Sequence, residues 1–337
     1  MISVHLRILL DGRDLSRRQA RQAMDLIMSG KASHAQMGAF LAALRVRGET
    51  VDELVGFAEA MRARATKVKI KRRPLLDTCG TGGDSSGTFN VSTTVAFIAA
   101  GAGAAVAKHG NRSVSSKCGS ADVLEALGVF TAAAPAAVAR CVDEAGIGFL
   151  FAPALHPAMR HAAPVRKELA ARTVFNLLGP LSNPAGATRQ LLGVYATSLV
   201  PSVAAALARL GSERALVVSS RDGMDELSLN ARAVVAEVRG GIVKTYELDP
   251  ARLKLKPARK GELLGGDAKK NARIVESILR GEKGAPRDIA LLNAAAALVA
   301  AGITGDLKDG LEAAAESVDS GRALGALALL RRLSHER

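Results

Sequence analysis

The sequence predicts an α/β protein in two parts: a small all-helical N-terminal domain, and a larger α/β domain whose central, mostly parallel sheet is flanked by helices. Three observations predict it. Residues 14–65 repeat apolar side chains at three- and four-residue spacing. Beyond Pro74, short apolar segments alternate with alanine-rich ones. Two glycine-rich polar loops each stand between a strand-like and a helix-like segment, where open α/β sheets bind ligands. The expected boundaries are 1–73 for the helical domain, completed by helices from about 156–184, and 74–337 for the α/β domain.

In the helical part, Ser16 precedes a helix over 17–30 in which Ala20, Ala23, Met24 and Ile27 share a face and Gly30 marks the stop. Ser33 caps a second helix carrying Ala35, Met37, Phe40, Leu41 and Leu44. Thr50 opens a third over 51–64, with Asp52 and Glu53 in the first turn, where the helix dipole favours acids. The basic run 67–73 and Pro74 read as the exit linker. Strands are expected at 74–77, 105–108, 148–152, 190–195, 214–219, 234–239 and 244–248. Helices are expected at 92–101, 121–127, 201–210, 267–280, 287–301 and 306–333. The segment 156–184 breaks this rhythm, being cationic and helical before a proline-punctuated turn. Its His156 and His161 are five apart, so they do not stack on one helix face as a metal pair.

The chemistry concentrates in the two loops, DTCGTGGDSSGTFNVSTT over 77–94 and KHGNRSVSSKCGS over 108–120. Each can turn several backbone N–H groups toward one anion, and the helix that follows adds the positive end of its dipole. Lys108, Arg112 and Lys117 bring cations to the second loop. Neither loop is a stock nucleotide motif: Thr88 stands where a P-loop needs lysine, and Ser85 replaces the third glycine of a dinucleotide fingerprint. Two anion cradles in one chain predict a substrate bearing several phosphates. The turn Asp222-Gly-Met-Asp-Glu226 adds three carboxylates, suited to Mg²⁺, which prefers oxygen ligands and substrate phosphates.

Composition sets limits on other functions. No apolar run approaches the roughly 18–20 residues of a membrane span. Three cysteines give neither a disulfide framework nor zinc-ligand spacing, and a reducing cytoplasm is the expected setting. The net charge of +14 raises nucleic acid as a partner. However, residues 1–73 and 250–290 contribute +8 and +6, so the excess lies away from the glycine loops. With no Trp and two Tyr, base-stacking platforms are scarce, and only weak, sequence-blind polyanion binding is expected.

Taken together, DTCGTGGD (77–84), NVST (90–93) and KHGNRSVSS (108–116) resemble the anthranilate phosphoribosyltransferase family of tryptophan biosynthesis. Supporting matches run through 35–45, 172–184, Gly265-Gly-Asp-Ala268 and Asn293-Ala-Ala-Ala296, nearly the full length. The resemblance implies transfer of the phosphoribosyl group of 5-phosphoribosyl 1-diphosphate to the amine of anthranilate, releasing diphosphate with Mg²⁺, two ions by the family pattern. It also implies a homodimer joined through helical domains. The phosphoribosyl donor is then expected at Gly80, Gly83, Asp84 and Thr88, and at Asn90, Val91, Ser92 and Thr93. It is further expected at Lys108, His109, Gly110, Asn111, Arg112, Ser113, Val114, Ser115, Ser116 and Ser120. Gly80, Asn111 and Arg166 match the anthranilate positions, and Ser92, Asp225 and Glu226 the metal positions. The arylamine is already a nucleophile, so no Ser-His or Cys-His pair is required, and the sequence identifies no residue as a general base.

Two alternatives compete with this reading. A pyrimidine nucleoside phosphorylase on the related fold would carry a Lys-x-Gly-Ser-Gly loop, which is missing. A nucleic-acid-binding paralogue would have lost the glycine loop and the Asp225–Glu226 pair, and both are intact. Two departures from the family pattern bear on the site. Ser219-Ser220-Arg221 precedes the acidic turn in place of a His-Gly pair, and Cys118 stands where serine is usual. Two readings of Cys118 follow: a buried stand-in for serine with ordinary reactivity, or a reactive thiolate favoured by Lys117 and Arg112 nearby.

Overall fold

The computed structural model describes every residue except Ser85, Val114, Ser115, Ser116 and Arg337. Four helices lead the chain: α1 (Ile2–Leu10), α2 (Arg17–Met28), α3 (His34–Arg47) and α4 (Val51–Arg64). Ser16, Ser33 and Thr50 each accept from the backbone N–H three residues on, while Gln19, Gln36 and Glu53 reach back, so α2, α3 and α4 all start with full capping boxes. α1 was not expected: Met1 makes no side-chain cap and the first turn has no acid, so its start carries no sequence signal. Glu53 is fully buried, accepting from Leu15 N–H at 2.9 Å and pairing with Arg47.

After the linker come β1 (Leu75–Gly80), α5 (Val91–Gly101), β2 (Ala105–Gly110), α6 (Ser120–Ala126), α7 (Pro135–Ala145) and β3 (Ile147–Phe151). Short helices α8 (Ala152–Leu155), α9 (Ala163–Leu169) and α10 (Val174–Leu178) lead to β4 (Arg189–Gly193), α11 (Val200–Arg209), β5 (Arg214–Ser220), β6 (Ala233–Arg239) and β7 (Ile242–Leu248). The chain finishes with α12 (Ala268–Leu279), α13 (Ala285–Ala301), α14 (Leu307–Asp319) and α15 (Arg322–His335). All seven expected strands form one sheet in the order β3-β2-β1-β4-β5-β6-β7. The first five are parallel and the last two antiparallel. α7 was not expected in its low-contrast alanine stretch. The expected helix over 306–333 is two helices, because Gly321 takes φ 77° between α14 and α15.

Strand periodicity divides the core. Leu191 and Leu216 face α5 and the C-terminal helices, while their neighbours Leu192 and Val217 face the cluster shared with α2, α3, α4 and α11. Val165, Phe175 and Leu178, from α9 and α10, join that second cluster, so the helical unit and one sheet face bury a continuous apolar body. Arg62 on α4 fixes the junction, donating to Leu181 O at 2.7 Å and Leu210 O at 3.1 Å.

Candidate active site

Because β1, β2, β4 and β5 run parallel, the loops after β1 and β2 and the acidic turn after β5 emerge on one edge of the sheet. The turn drops onto that edge where only glycine allows it. A Cβ at Gly193 would stand 1.6 Å from Asp225 O, and one at Gly80 2.6 Å from Asp225 Oδ2. Gly82 N–H donates to Asp225 Oδ2 at 3.0 Å, so the first glycine loop already holds one carboxylate. Ser220, one of the departures, braces the turn: its hydroxyl donates to Glu226 O at 2.7 Å and accepts from Ser228 N–H. Asp222 accepts from the Ser228 hydroxyl at 2.6 Å and is exposed, so it shapes the turn rather than joining the pair.

Asp225 and Glu226 are crowded. Burial, and then the neighbouring Asp84 charge, push the Asp225 carboxyl up to about 7. Burial and Asp225 drive Glu226 well above the carboxylate range, opposed by Lys108 and by a hydrogen bond from Ser92 N–H. Asp84 Oδ2 is buried without a partner among the described residues. Carboxylates pushed toward neutrality by burial, and then by one another, fit a divalent cation, whose charge would restore both as anions. Mg²⁺ needs only one or two protein carboxylates when substrate phosphates complete its shell.

Lys108 lies beneath this group rather than in the open loop. It is buried, and its ammonium donates to Thr78 O and, at 3.3 Å, to Ser92 Oγ, so it supports the start of α5 and faces Glu226 electrostatically. Val91, Ser92 and Thr93 form the first turn of α5, and Thr93 Oγ1 is buried without a partner among the described residues. Asp77, buried in β1, accepts from His109 N–H at 3.0 Å and Asn183 Nδ2 at 2.8 Å, pinning the second loop and the 180–184 turn to the sheet. Sequence reading missed Asp77 as a fixing point, although it opens the first motif.

The second loop is arranged by Asp122, which accepts from Gly119 N–H at 2.8 Å and Ser113 N–H at 3.2 Å. Arg112 is turned to the acids of α6: it donates to Asp122 at 2.9 Å and to both oxygens of Glu125 at 2.8 and 2.5 Å. Asn111 O accepts from the Ser120 hydroxyl at 3.2 Å, and Gly110 faces the same hydroxyl. Val114, Ser115 and Ser116 lie outside the described residues. Of the two readings of Cys118, the surroundings favour the buried stand-in for serine. Burial pushes its thiol up to about 11, while Lys117 is exposed and Arg112 is engaged elsewhere.

The 152–183 segment covers this edge. His156 packs against His109, with ring centroids 5.1 Å apart, and His109 Nδ1 meets Gly179 O at 3.2 Å. Burial lowers these rings to about 4 and about 3 respectively, so both are neutral, and both Nε2 atoms are without partners among the described residues. Arg172 donates to Gly83 O at 2.8 Å while lying over the Tyr195 ring at 4.3 Å, a bridge to the first loop that sequence reading missed. Arg166, on α9, lies 5.3 Å from the Phe175 ring centroid and has no acidic partner among the described residues. Burial holds its guanidinium below its ordinary value. Thr88 pairs with Leu264 in an isolated bridge, so the 261–266 segment backs the first loop. Two surface grooves of about 480 and 430 Å³ run along α12 and between α2, α4 and the end of α11.

This fold and site define a glycosyltransferase of the kind that joins a helical bundle to an α/β domain. Family models described as "Glycosyl transferase family, helical bundle domain" and "Glycosyl transferase family, a/b domain" match residues 4–65 and 72–324. The anthranilate phosphoribosyltransferase of Symbiobacterium thermophilum is 53% identical over 330 residues, covering 98% of this chain and 97% of that protein. The crystal structure of the Thermus thermophilus enzyme superposes with TM-score 0.93 at 44% identity, covering 98% of this chain and 99% of that one. The Saccharomyces cerevisiae enzyme in complex with PRPP and Mg gives TM-score 0.89 at 28% identity, over 99% and 97%. Its complex with 4-fluoroanthranilate gives 0.88 at 29%, with the same coverage. The chain belongs to the anthranilate phosphoribosyltransferase family, and it is a transferase.

Proposed function

We propose that this chain transfers the phosphoribosyl group of 5-phosphoribosyl 1-diphosphate to anthranilate in tryptophan biosynthesis, at the sheet edge where the two glycine loops meet the acidic turn. The observation that carries this reading is the Asp225–Glu226 pair seated on Gly80 and Gly193 beside the first loop. Gly80, Gly83, Asp84, Thr88, Asn90–Thr93, residues 108–116 and Ser120 are proposed to hold the donor, chiefly through backbone N–H groups and the start of α5. Asp225, Glu226 and Ser92 would hold Mg²⁺, proposed as two ions. The metal supplies counter-charge for the leaving group.

Arg166 takes the anthranilate carboxylate through two parallel hydrogen bonds, and Gly80 and Asn111 orient the ring. The arylamine nitrogen forms its bond to the anomeric carbon as the bond to diphosphate breaks. The chain's contribution is positioning and fixed charge. The arylammonium so formed is acidic and gives its proton to the departing diphosphate or to water, with no side chain assigned as general base.

The helical unit, 1–73 with 156–184, is proposed as the dimer-forming domain and 74–337 as the donor-binding one. Val4 and Leu10 on α1 and Val46 on α3 are 60%, 68% and 89% exposed, an apolar surface suited to a second copy. Among the described residues no helix is long and apolar enough to cross a membrane, and the proposed setting is the cytoplasm. The test is loss of anthranilate fluorescence, expected only with donor and Mg²⁺ together. Orthophosphate-dependent cleavage of thymidine or uridine without anthranilate turnover would move the reading to a nucleoside phosphorylase.

A further inference from the structure

Gly265-Gly-Asp-Ala268 has no place in the phosphate or acceptor sites, yet it is built into the wall of the first loop. Phe89 N–H donates to Leu263 O at 3.1 Å and Gly265 N–H to Gly87 O at 2.9 Å, so the segment runs along the loop as an added strand would. A Cβ at Gly265 would stand 2.8 Å from both Phe89 Cα and Asn271 Oδ1, which leaves room only for glycine. Asp267 caps α12, placing Asn271 in its first turn.

Asn271 is 2% exposed, and its amide is used at both ends. Its Oδ1 accepts from Gly266 N–H at 2.7 Å, and its Nδ2 donates to Asn90 Oδ1 at 2.9 Å. With its carbonyl so held, Asn90 points its own Nδ2 at Cys118 O in the second loop, 3.3 Å away. The Asn271 amide also contacts the Cys118 side chain. Asn90 is also the N-cap residue of α5, a position where asparagine ordinarily folds its side-chain oxygen back onto the first-turn N–H groups. Here it makes no such cap. Its oxygen is drawn away by Asn271, and the first turn of α5 is left for other partners, of which Glu226 is one at Ser92 N–H.

We propose that Asn271 is a positioning residue for the phosphoribosyl donor: it holds the Asn90 amide off the α5 N-terminus and between the two glycine loops, fixing their separation and keeping the helix start open to phosphate. This rests on the assignment of Asn90 and the α5 first turn to the donor. Without Asn271 the Asn90 oxygen is free to cap α5, which competes with phosphate for the same N–H groups while leaving the helix well capped. The defect therefore belongs in donor affinity rather than in folding.

The test is steady-state kinetics of Asn271→Ala, Asn271→Asp, Asn90→Ala and the Asn90→Ala/Asn271→Ala double variant, with Tm measured for each. Asn271→Asp keeps the oxygen that Gly266 needs but faces Asn90 Oδ1 with a second acceptor, so it guards against a simple packing loss. Both Asn271 variants are expected to raise donor KM about tenfold and to leave anthranilate KM within about twofold. The double variant is expected to match Asn90→Ala alone, because Asn271 acts through Asn90. Multiplying effects in the double variant, or equal rises in both KM values, overturn the proposal. If Asn90→Ala raises donor KM but neither Asn271 variant does, the positioning role is wrong and the donor assignment stands. If Asn90→Ala leaves donor KM unchanged, the donor assignment itself falls.

Discussion

Replacing Arg166 by alanine removes a half-buried guanidinium that no described acid neutralises. Its only described side-chain partner is the Phe175 ring at 5.3 Å, a contact worth about 0.5–1 kcal/mol, and burial already disfavours its charge. Stability should therefore change little. Binding should change much more. A bidentate, charge-assisted pair with a carboxylate contributes about 1.5–3 kcal/mol. At about 1.4 kcal/mol per factor of ten, anthranilate KM should rise roughly 10–150-fold, with kcat and donor KM near wild type. Arg166→Lys keeps the charge but loses the planar fork and the ring stacking, and should fall between the two. The assay is initial-rate loss of anthranilate fluorescence at saturating donor and Mg²⁺, with Tm recorded in parallel. An unchanged anthranilate KM in Arg166→Ala, accompanied by a raised donor KM, would refute the reasoning and reassign the cation to phosphate.

Three further outcomes are expected. Asp225→Asn or Glu226→Gln should lower kcat on the order of 10²-fold and raise the Mg²⁺ concentration for half-maximal rate, measured by metal titration of the initial rate. His109 and His156 are lowered to about 3 and about 4, so the unfolded chain binds more protons as pH falls below about 6.5. The two rings' contribution should be full above that pH and lost toward pH 4, at a cost of about 2 kcal/mol per ring at pH 5. The raised Asp225 and Glu226 carboxyls act in the opposite sense, so the ring effect is read as the difference between wild type and His156→Gln in urea melts at pH 7.5 and pH 5. Cys118, with its thiol at about 11, should resist a thiol reagent at pH 7.5 in the folded protein and react on unfolding, while Cys118→Ser retains activity.

Much of the fold was legible because its signals are local. The Ser16, Ser33 and Thr50 boxes announce α2 to α4, and seven short apolar runs became the seven strands. α1 was not legible, because its start has neither a cap nor an acid to mark it. Proline at the start of α7 was a usable signal, obscured by the uniform alanine around it. β6 reverses on β5 through the 221–232 connection, and β7 reverses on β6 at the Gly240-Gly241 turn, where both residues take positive φ. At the site, the motifs point to the right loops, but a motif does not reveal which way a charge faces. Lys108 turns inward to Thr78 and Ser92, Arg112 turns to Glu125, and Cys118 is buried away from both cations. Arg172 and Asn271 come to the loops through chain separations of 89 and 181 residues, which no local pattern encodes.

The two glycine loops and the Asp225–Glu226 turn are proposed to form a single donor and metal site. A crystal structure of this chain with 5-phosphoribosyl 1-diphosphate and Mg²⁺ tests it most directly, preferably repeated with Mn²⁺ for its anomalous signal. Phosphate density is expected against the first turn of α5 and the second glycine loop, with anomalous peaks at Asp225 and Glu226. Donor density in the basic groove of Lys270, Arg273 and Lys283, with no metal at the acidic turn, would contradict it.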